Sequence, residues 1–406
     1  MTNPSELLDL VDDRACLNFL ASMVRHKSYP ETVGERELAI FMHDAMTGLG
    51  LSSELQPVSG DRVNAIGRLP GLGGGKSLLF NGHLDTNPVT EGWTVDPLGG
   101  VIDDQFIYGI GVSNMKAGCA AYFCAVRTLV EAGVQLKGDL ILTYVVGELQ
   151  GGIGTVRAIE QGVRADYFIN CEPTDLGAVT LHAGSLHFVI ELEGTTRHMS
   201  KREEAVDAIA AACTLVPRLN SITFSGAESA EHRSVNRANI GVLRGALSRD
   251  FHDWRAPQVA DFVRLAGSAR YAPSQSEDSV FADLQAELDR LEAEFPGLET
   301  TGYPLQGDDR PRMSPFEVDQ DSPIVRSINA AYAQVRGRSQ PTGAIPPAAF
   351  FGTDAAHFSQ RLSMEGVVCG PGGRYNTMPD ERVDIPDYLD AVRIYLLAIL
   401  ETCETA

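Results

Sequence analysis

Several side chains that could do chemistry stand at the ends of apolar runs. In Gly82-His83-Leu84-Asp85-Thr86 an imidazole and a carboxylate lie one residue apart, so in an extended strand they share a face. Such an imidazole can ligate a metal through one nitrogen while a second carboxylate orients the other. Glu148 closes the run Leu140–Val146 just ahead of Gly151-Gly152, and Glu172 closes Tyr167–Asn170 and is fixed by Pro173. Paired carboxylates beside an imidazole suit metal binding and proton transfer to water. Between these runs, Gly111-Val112-Ser113-Asn114-Met115-Lys116-Ala117-Gly118 offers a neutral amide, Asn114, on a glycine-bounded loop.

The elements that must position these groups alternate in type. Residues 77–85, 139–148 and 166–173 read as buried strands, and 114–133 has helical apolar spacing ending in Gly133. This order predicts an α/β unit with a largely parallel sheet, whose functional loops gather at the strands' carboxyl ends. From Leu181 the texture changes to β-α-β-β-α, the order of a small sandwich with helices on one face. The α/β texture returns near Met313, with helices expected at 322–336 and 386–402. The chain therefore reads as a catalytic α/β domain, residues 1–182 and 309–406, interrupted by an inserted α+β domain over 183–308. Residues 1–26 read as one amphipathic helix capped near Asn3 or Ser5.

Composition narrows the partners. A net charge of −21 over 406 residues disfavours nucleic acid and anionic membranes, which repel an acidic surface. The chain has no apolar run of about 18 residues, the length expected of a membrane span. Seven scattered cysteines without a C-x-x-C pair suit a reducing, cytoplasmic setting. The glycine-rich Gly71–Ser77, GLGGGKS, is a false phosphate loop, because Pro70 precedes it and a strand rather than a helix follows. Alternation turns Cys171 away from Glu172, and His357 is expected to cap its helix.

The stretches GHLDT, GxGxxxMKAG, GELQGGxGT, EPT, GTTRH, ARYAPSQS, GTDA and GPG, in this order from about residue 10 to 400, together resemble the M20 metallopeptidase family. That family includes aminoacylases, acetylornithine and succinyl-diaminopimelate deacylases and glutamate carboxypeptidases. The resemblance implies a zinc-exopeptidase-like catalytic domain and a ferredoxin-like lid that forms a homodimer. It implies hydrolysis of an amide-like C–N bond in a small carboxylate-bearing substrate of the N-acyl amino acid kind. Glu148 matches the general base, His83 and Glu172 match ligands of one metal, and His198 matches the lid histidine that steadies the oxyanion. Asp85 joins the catalytic candidates, and Arg270, Asp354 and Asn239 are candidates for substrate binding, although Pro257 replaces an asparagine usual thirteen positions before the arginine.

Three positions depart from the family pattern. Asn114 stands where a carboxylate bridges two ions, and Leu149 and Thr377 stand where the second ion takes a Glu and a His. Leucine has no lone pair and threonine is a poor zinc ligand. The remaining donors, His83, Glu172 and Asn114, suit one divalent zinc, manganese or cobalt ion, or none. The chemistry implied is amide hydrolysis on a reduced site, or else elimination or acyl transfer; the alternative is a catalytically inactive relative that binds a small carboxylate or serves as a structural subunit.

Overall fold

The computed structural model describes residues 4–253, 255–305 and 310–406. They form two compact units, Met1–Leu181 with Arg310–Ala349 and Thr353–Ala406, and His182–Asp309 with Phe350–Gly352.

The first unit is built on an eight-stranded sheet in the order Ser52–Ser59, Arg62–Leu69, Leu140–Val145, Leu78–His83, Tyr167–Asn170, Glu365–Val368, Ala178–Val179, Thr342–Gly343. The four strands from Leu140–Val145 to Glu365–Val368 run parallel. Every residue of Leu78–His83 and of Leu140–Val145 is buried, as a strand covered on both faces requires. Phe80 packs on one face against Tyr122 and Tyr395, at ring separations of 5.4 and 5.2 Å. Phe168 takes the other face, because Phe80 is in register with Ile169, and it meets Phe358 at 5.2 Å. The expected mainly parallel α/β sheet is therefore present. The antiparallel hairpin Ser52–Ser59/Arg62–Leu69 extends one edge and escaped the sequence reading, since its first strand is largely polar and half exposed.

Two expected helices are redrawn. Residues 4–24 form two helices, Pro4–Asp9 and Asp13–Val24, rather than one. Asp12 separates them, because its carboxylate accepts the Ala15 N–H at 2.9 Å and a short acid does better as a cap than inside a helix. Ser5 lies within the first helix, and Asn3 lies outside the described residues. The helix expected from residue 114 runs only over Ala117–Glu131. The glycine-rich segment is a surface turn: Lys76 pairs with Asp166 at 2.9 Å, Ser77 donates its N–H and hydroxyl to the same carboxylate, and the strand begins at Leu78.

The second unit has a four-stranded antiparallel sheet in the order Arg237–Ala246, Phe262–Tyr271, Gly184–Glu193, Glu299–Pro304. Its helices, Ala208–Asn220 and Glu277–Glu294, share one core with the sheet through Leu215, Leu219, Leu284, Leu288, Phe188 and Leu265. Glu299–Pro304 completes a β-α-β-β-α-β order, one strand more than the sequence reading had.

A buried ion pair braces the first unit close to its strand ends. Arg62 binds Glu35 through two hydrogen bonds of 2.7 Å, with side-chain exposures of 9% and 0%. The same guanidinium donates to the Gln150 side-chain carbonyl, and Gln150 donates onward to Glu31 at 2.7 Å. Breaking one side of such a pair strands a buried charge, so Arg62→Met is expected to destabilise by about 3–5 kcal/mol. Urea unfolding measures it, and the double variant Arg62→Met/Glu35→Leu is expected to recover most of the loss.

Candidate active site

His83 is the last residue of its strand, in register with Val145 on one neighbour, while Asn81 is in register with Asn170 on the other. The parallel register therefore delivers His83, the loop carrying Glu148 and the turn carrying Glu172 to one sheet edge. The His83 Nδ1 donates to the Asp85 backbone carbonyl at 2.8 Å. That leaves Nε2 facing the Asn114 Oδ1 at 3.1 Å, the Glu172 Oε1 at 3.6 Å and the Glu148 Oε2 at 3.9 Å.

The expectation that the Asp85 carboxylate orients the imidazole is corrected. It stands 3.6 Å from Nδ1, and its hydrogen bonds go to backbone instead. Oδ1 accepts the N–H groups of Gly147 at 2.8 Å and Glu148 at 3.2 Å, and Oδ2 accepts that of Leu149 at 3.0 Å. An anion collects these donors because strands end in unpaired N–H groups and a carboxylate can accept several at once. Further on, His357 donates from Nε2 to the Gly151 carbonyl at 2.9 Å. It lies within the helix Ala355–Leu362 and anchors this loop instead of capping its own helix. Gly152 has φ +77°, and a Cβ there would stand 2.4 Å from Asp354 Oδ1, so only glycine fits. Asp354, 1% exposed, accepts the Thr155 hydroxyl at 2.7 Å behind that loop.

Asn114 occupies a wide turn, Val112–Lys116, with extended φ/ψ of −118° and 93°, before the helix starts. Its N–H and that of Ser113 donate to Glu381 at 3.1 and 2.9 Å. Glu381, Arg62 and His357 escaped the sequence reading in these roles, because they meet the site from distant parts of the chain where no spacing signals the contact. Leu149 is 38% exposed and brings no donor, and Thr377, at φ +51°, is exposed on the segment that leads to Glu381. Cys171 is buried away from this cluster, its thiol facing the Ile169 carbonyl.

Burial and charge oppose each other here. Burial acts to lower the His83 imidazole, yet the carboxylates of Glu172, Asp85, Glu148 and Asp354 outweigh it and hold it at about 10. Burial pushes Glu148 well above the ordinary carboxylate range, with Glu172 adding to the rise and His83 opposing it. Burial likewise raises Glu172, and lifts Asp354 to about 7 against the Thr155 hydrogen bond. A cluster this rich in buried acid takes up positive charge, from protons or from a cation.

The donor set fits one divalent ion. Ligand atoms of His83, Glu148 and Glu172 lie within 4.8 Å of one another, the one such cluster of His, Cys, Asp and Glu among the described residues. Four donors around a tetrahedral ion with bonds of about 2.0–2.2 Å sit roughly 3.3–3.6 Å apart. The separations of 3.1 Å to Asn114 and 3.6 Å to Glu172 around His83 Nε2 lie close to that spacing, and Glu148 stands farther off at 3.9 Å. Leu149, on the same loop as Glu148, brings no lone pair, and Asn114 brings an oxygen without charge.

His198, Asn239 and Arg270 belong to the second unit. The exposed His198 accepts the Ser200 N–H on Nδ1, so its neutral ring carries the proton on Nε2. Asn239 is exposed on the edge strand opposite Ser268. Arg270 donates from Nε to the Phe350 carbonyl at 2.9 Å and from Nη1 to the Ser268 hydroxyl at 2.7 Å.

A sequence model of peptidase family M20/M25/M40 matches residues 79–401. The chain is similar to the N-formyl-4-amino-5-aminomethyl-2-methylpyrimidine deformylase of Bacillus subtilis (strain 168), 26% identical over 381 residues that cover 87% of this chain and 86% of that protein. It is similar to the succinyl-diaminopimelate desuccinylase of Helicobacter hepaticus (strain ATCC 51449 / 3B1), 25% identical over 323 residues, 76% of each. The solved aminopeptidase PepT from Bacillus cereus ATCC 10987 shares the fold, with a TM-score of 0.76 over 97% of this chain and 100% of that one, at 19% identity.

Asp85 can be tested on stability and order alone. Asp85→Ala removes one charged acceptor from three N–H groups and is expected to cost about 2–4 kcal/mol in urea unfolding. Amide exchange over residues 147–149 is expected to accelerate in the same variant.

Proposed function

This chain belongs to peptidase family M20/M25/M40, and from that premise we propose that it hydrolyses the amide C–N bond of a small N-acyl compound bearing a carboxylate, working with one divalent ion instead of two. The observation that carries this reading is the convergence of His83, Glu148 and Glu172 at the carboxyl ends of three neighbouring parallel strands. The family's enzymes are hydrolases of amide bonds, and the two similar curated enzymes are by name a deformylase and a desuccinylase.

Glu148 supplies the proton transfer. Its carboxylate is 11% exposed, enough for water to reach, and the Asp85-bound loop holds its backbone in place. Glu148 takes a proton from water as the water oxygen adds to the acyl carbon. As the C–N bond breaks it returns that proton to the leaving nitrogen, giving a carboxylic acid and an amine. An ion held by His83 Nε2, Glu172 and the Asn114 carbonyl oxygen would polarise the acyl oxygen and acidify water. The burial that raises the Glu148 pKa makes its carboxylate the stronger base, which suits it to take a proton and hand it on.

In the second unit, Arg270 suits the substrate carboxylate with its planar fork of donors, and the His198 Nε2–H suits an oxyanion. Asn239 and Asp354 are further candidates for substrate contact, and homodimerisation through the second unit is part of the same reading. No helix among the described residues is long and apolar enough to cross a membrane.

Purified protein loaded with Zn²⁺, Mn²⁺ or Co²⁺ is expected to turn over at least one of the N-formyl, N-acetyl, N-succinyl or N-carbamoyl amino acids. Silence on all of them with every metal refutes the hydrolase reading. Glu148→Gln is expected to lower kcat by about 10²–10⁴-fold with binding of substrate retained, and wild-type turnover in that variant removes Glu148 from the chemistry. The triple variant Asn114→Asp/Leu149→Glu/Thr377→His is expected to gain one further equivalent of zinc, read by elemental analysis.

A further inference from the structure

Within the turn that displays Asn114, the Lys116 N–H closes on the Gly111 carbonyl at 2.9 Å and the Ala117 N–H on the Val112 carbonyl, which leaves the Ser113 and Asn114 N–H groups to be met from outside. Asn114 and Met115 lie outside helical φ/ψ, and the regular helix starts at Ala117. The support comes from the other end of the chain. Glu381, 1% exposed, accepts the Ser113 N–H at 2.9 Å and the Asn114 N–H at 3.1 Å on one oxygen, Oε1. Its backbone carbonyl accepts the Gly109 N–H at 2.9 Å. The next residues, Arg382–Asp384, pair antiparallel with Phe106–Tyr108, Arg382 opposite Tyr108 and Asp384 opposite Phe106. That register fixes where the carboxylate stands. The preceding residues grip the same turn: the Ser113 hydroxyl donates to Asn376 Oδ1 and accepts the Gly373 N–H at 3.0 Å. Beyond Asn114, the buried Lys116 is tied off at the His26 carbonyl at 2.8 Å.

We infer that Glu381 is a positioning residue of the active site: by clamping two successive N–H groups it aims the Asn114 side-chain oxygen at the Nε2 of His83. A buried side-chain oxygen with two lone pairs suits the task, since two donors converge on one atom. The position matters because Asn114 is a neutral ligand. A carboxylate is drawn to a cation by its charge, whereas an amide oxygen contributes only if the backbone already holds it at bonding distance. The consequence for metal binding rests on the one-ion reading above; the clamp itself does not.

Three variants, Glu381→Ala, Glu381→Gln and Glu381→Asp, separate the possibilities. Amide exchange over residues 111–116 reads the clamp without metal or substrate, and titration with Co²⁺ followed by its visible absorption reads the site. Glu381→Ala is expected to accelerate exchange in that segment by about tenfold or more and to weaken Co²⁺ binding by about 10–100-fold with a changed spectrum. Glu381→Gln keeps an acceptor oxygen at the same reach and is expected to restore both readouts to within about threefold of wild type. Glu381→Asp keeps the charge but withdraws the oxygen by one methylene, and it is expected to behave as the alanine variant does; it stands in for that variant if Glu381→Ala does not fold. Exchange and Co²⁺ affinity within about twofold of wild type in Glu381→Ala or Glu381→Asp overturns the inference, as does a glutamine variant no better than alanine. Wild-type protein that takes up no Co²⁺ refutes the one-ion reading, and the exchange data then decide the clamp alone.

Discussion

Asp85 ties the imidazole of His83 to the loop that carries Glu148. Its backbone carbonyl fixes the proton on His83 Nδ1, which turns Nε2 toward the carboxylates. Its side chain gathers the N–H groups of Gly147, Glu148 and Leu149, so the loop that carries Glu148 cannot move independently of the strand that carries His83. One residue thus converts two strand ends into one geometry. A fixed geometry is what a hydrolytic site needs, because small misplacements of a reacting group cost large factors in rate.

That constraint explains the amount of structure gathered around a few side chains. Glu148, Glu172, Asp354 and Asp85 crowd acid into a buried place around one imidazole, and like charges repel strongly away from water. The fold counters this by clamping each segment separately. Arg62 and Glu35 brace Gln150, His357 holds Gly151, and Glu381 holds the Asn114 turn. Among these clamped segments Asn114 presents a neutral amide and Leu149 an apolar side chain. Fewer charged donors suit fewer cations, which is the ground of the proposed one-ion reading.

The sequence made the site legible where chemistry sits at the end of a short apolar run. His83, Glu148 and Glu172 each follow such a run, and a parallel α/β sheet brings those ends together, so the three converge as expected. The turn at Gly71–Ser77 was legible as a non-site from the strand that follows it. What stayed hidden depends on contacts that have no spacing. Glu381 reaches Asn114 across 267 residues, and Arg62 reaches Gln150 across 88. The role of Asp85 was half legible: alternation placed it beside His83, but whether its oxygens meet a ring or a backbone depends on a loop 62 residues on. The break at Asp12 was visible in principle, as an acid three residues before the alanine whose N–H it caps, but the amphipathic pattern on either side masked it.

The count of metal ions per chain tests the account most directly. Protein stripped with chelator, titrated with Zn²⁺ by calorimetry and checked by elemental analysis after dialysis, is predicted to hold one tight equivalent that is lost in His83→Ala. Two equivalents in the wild-type chain, or none, would contradict it.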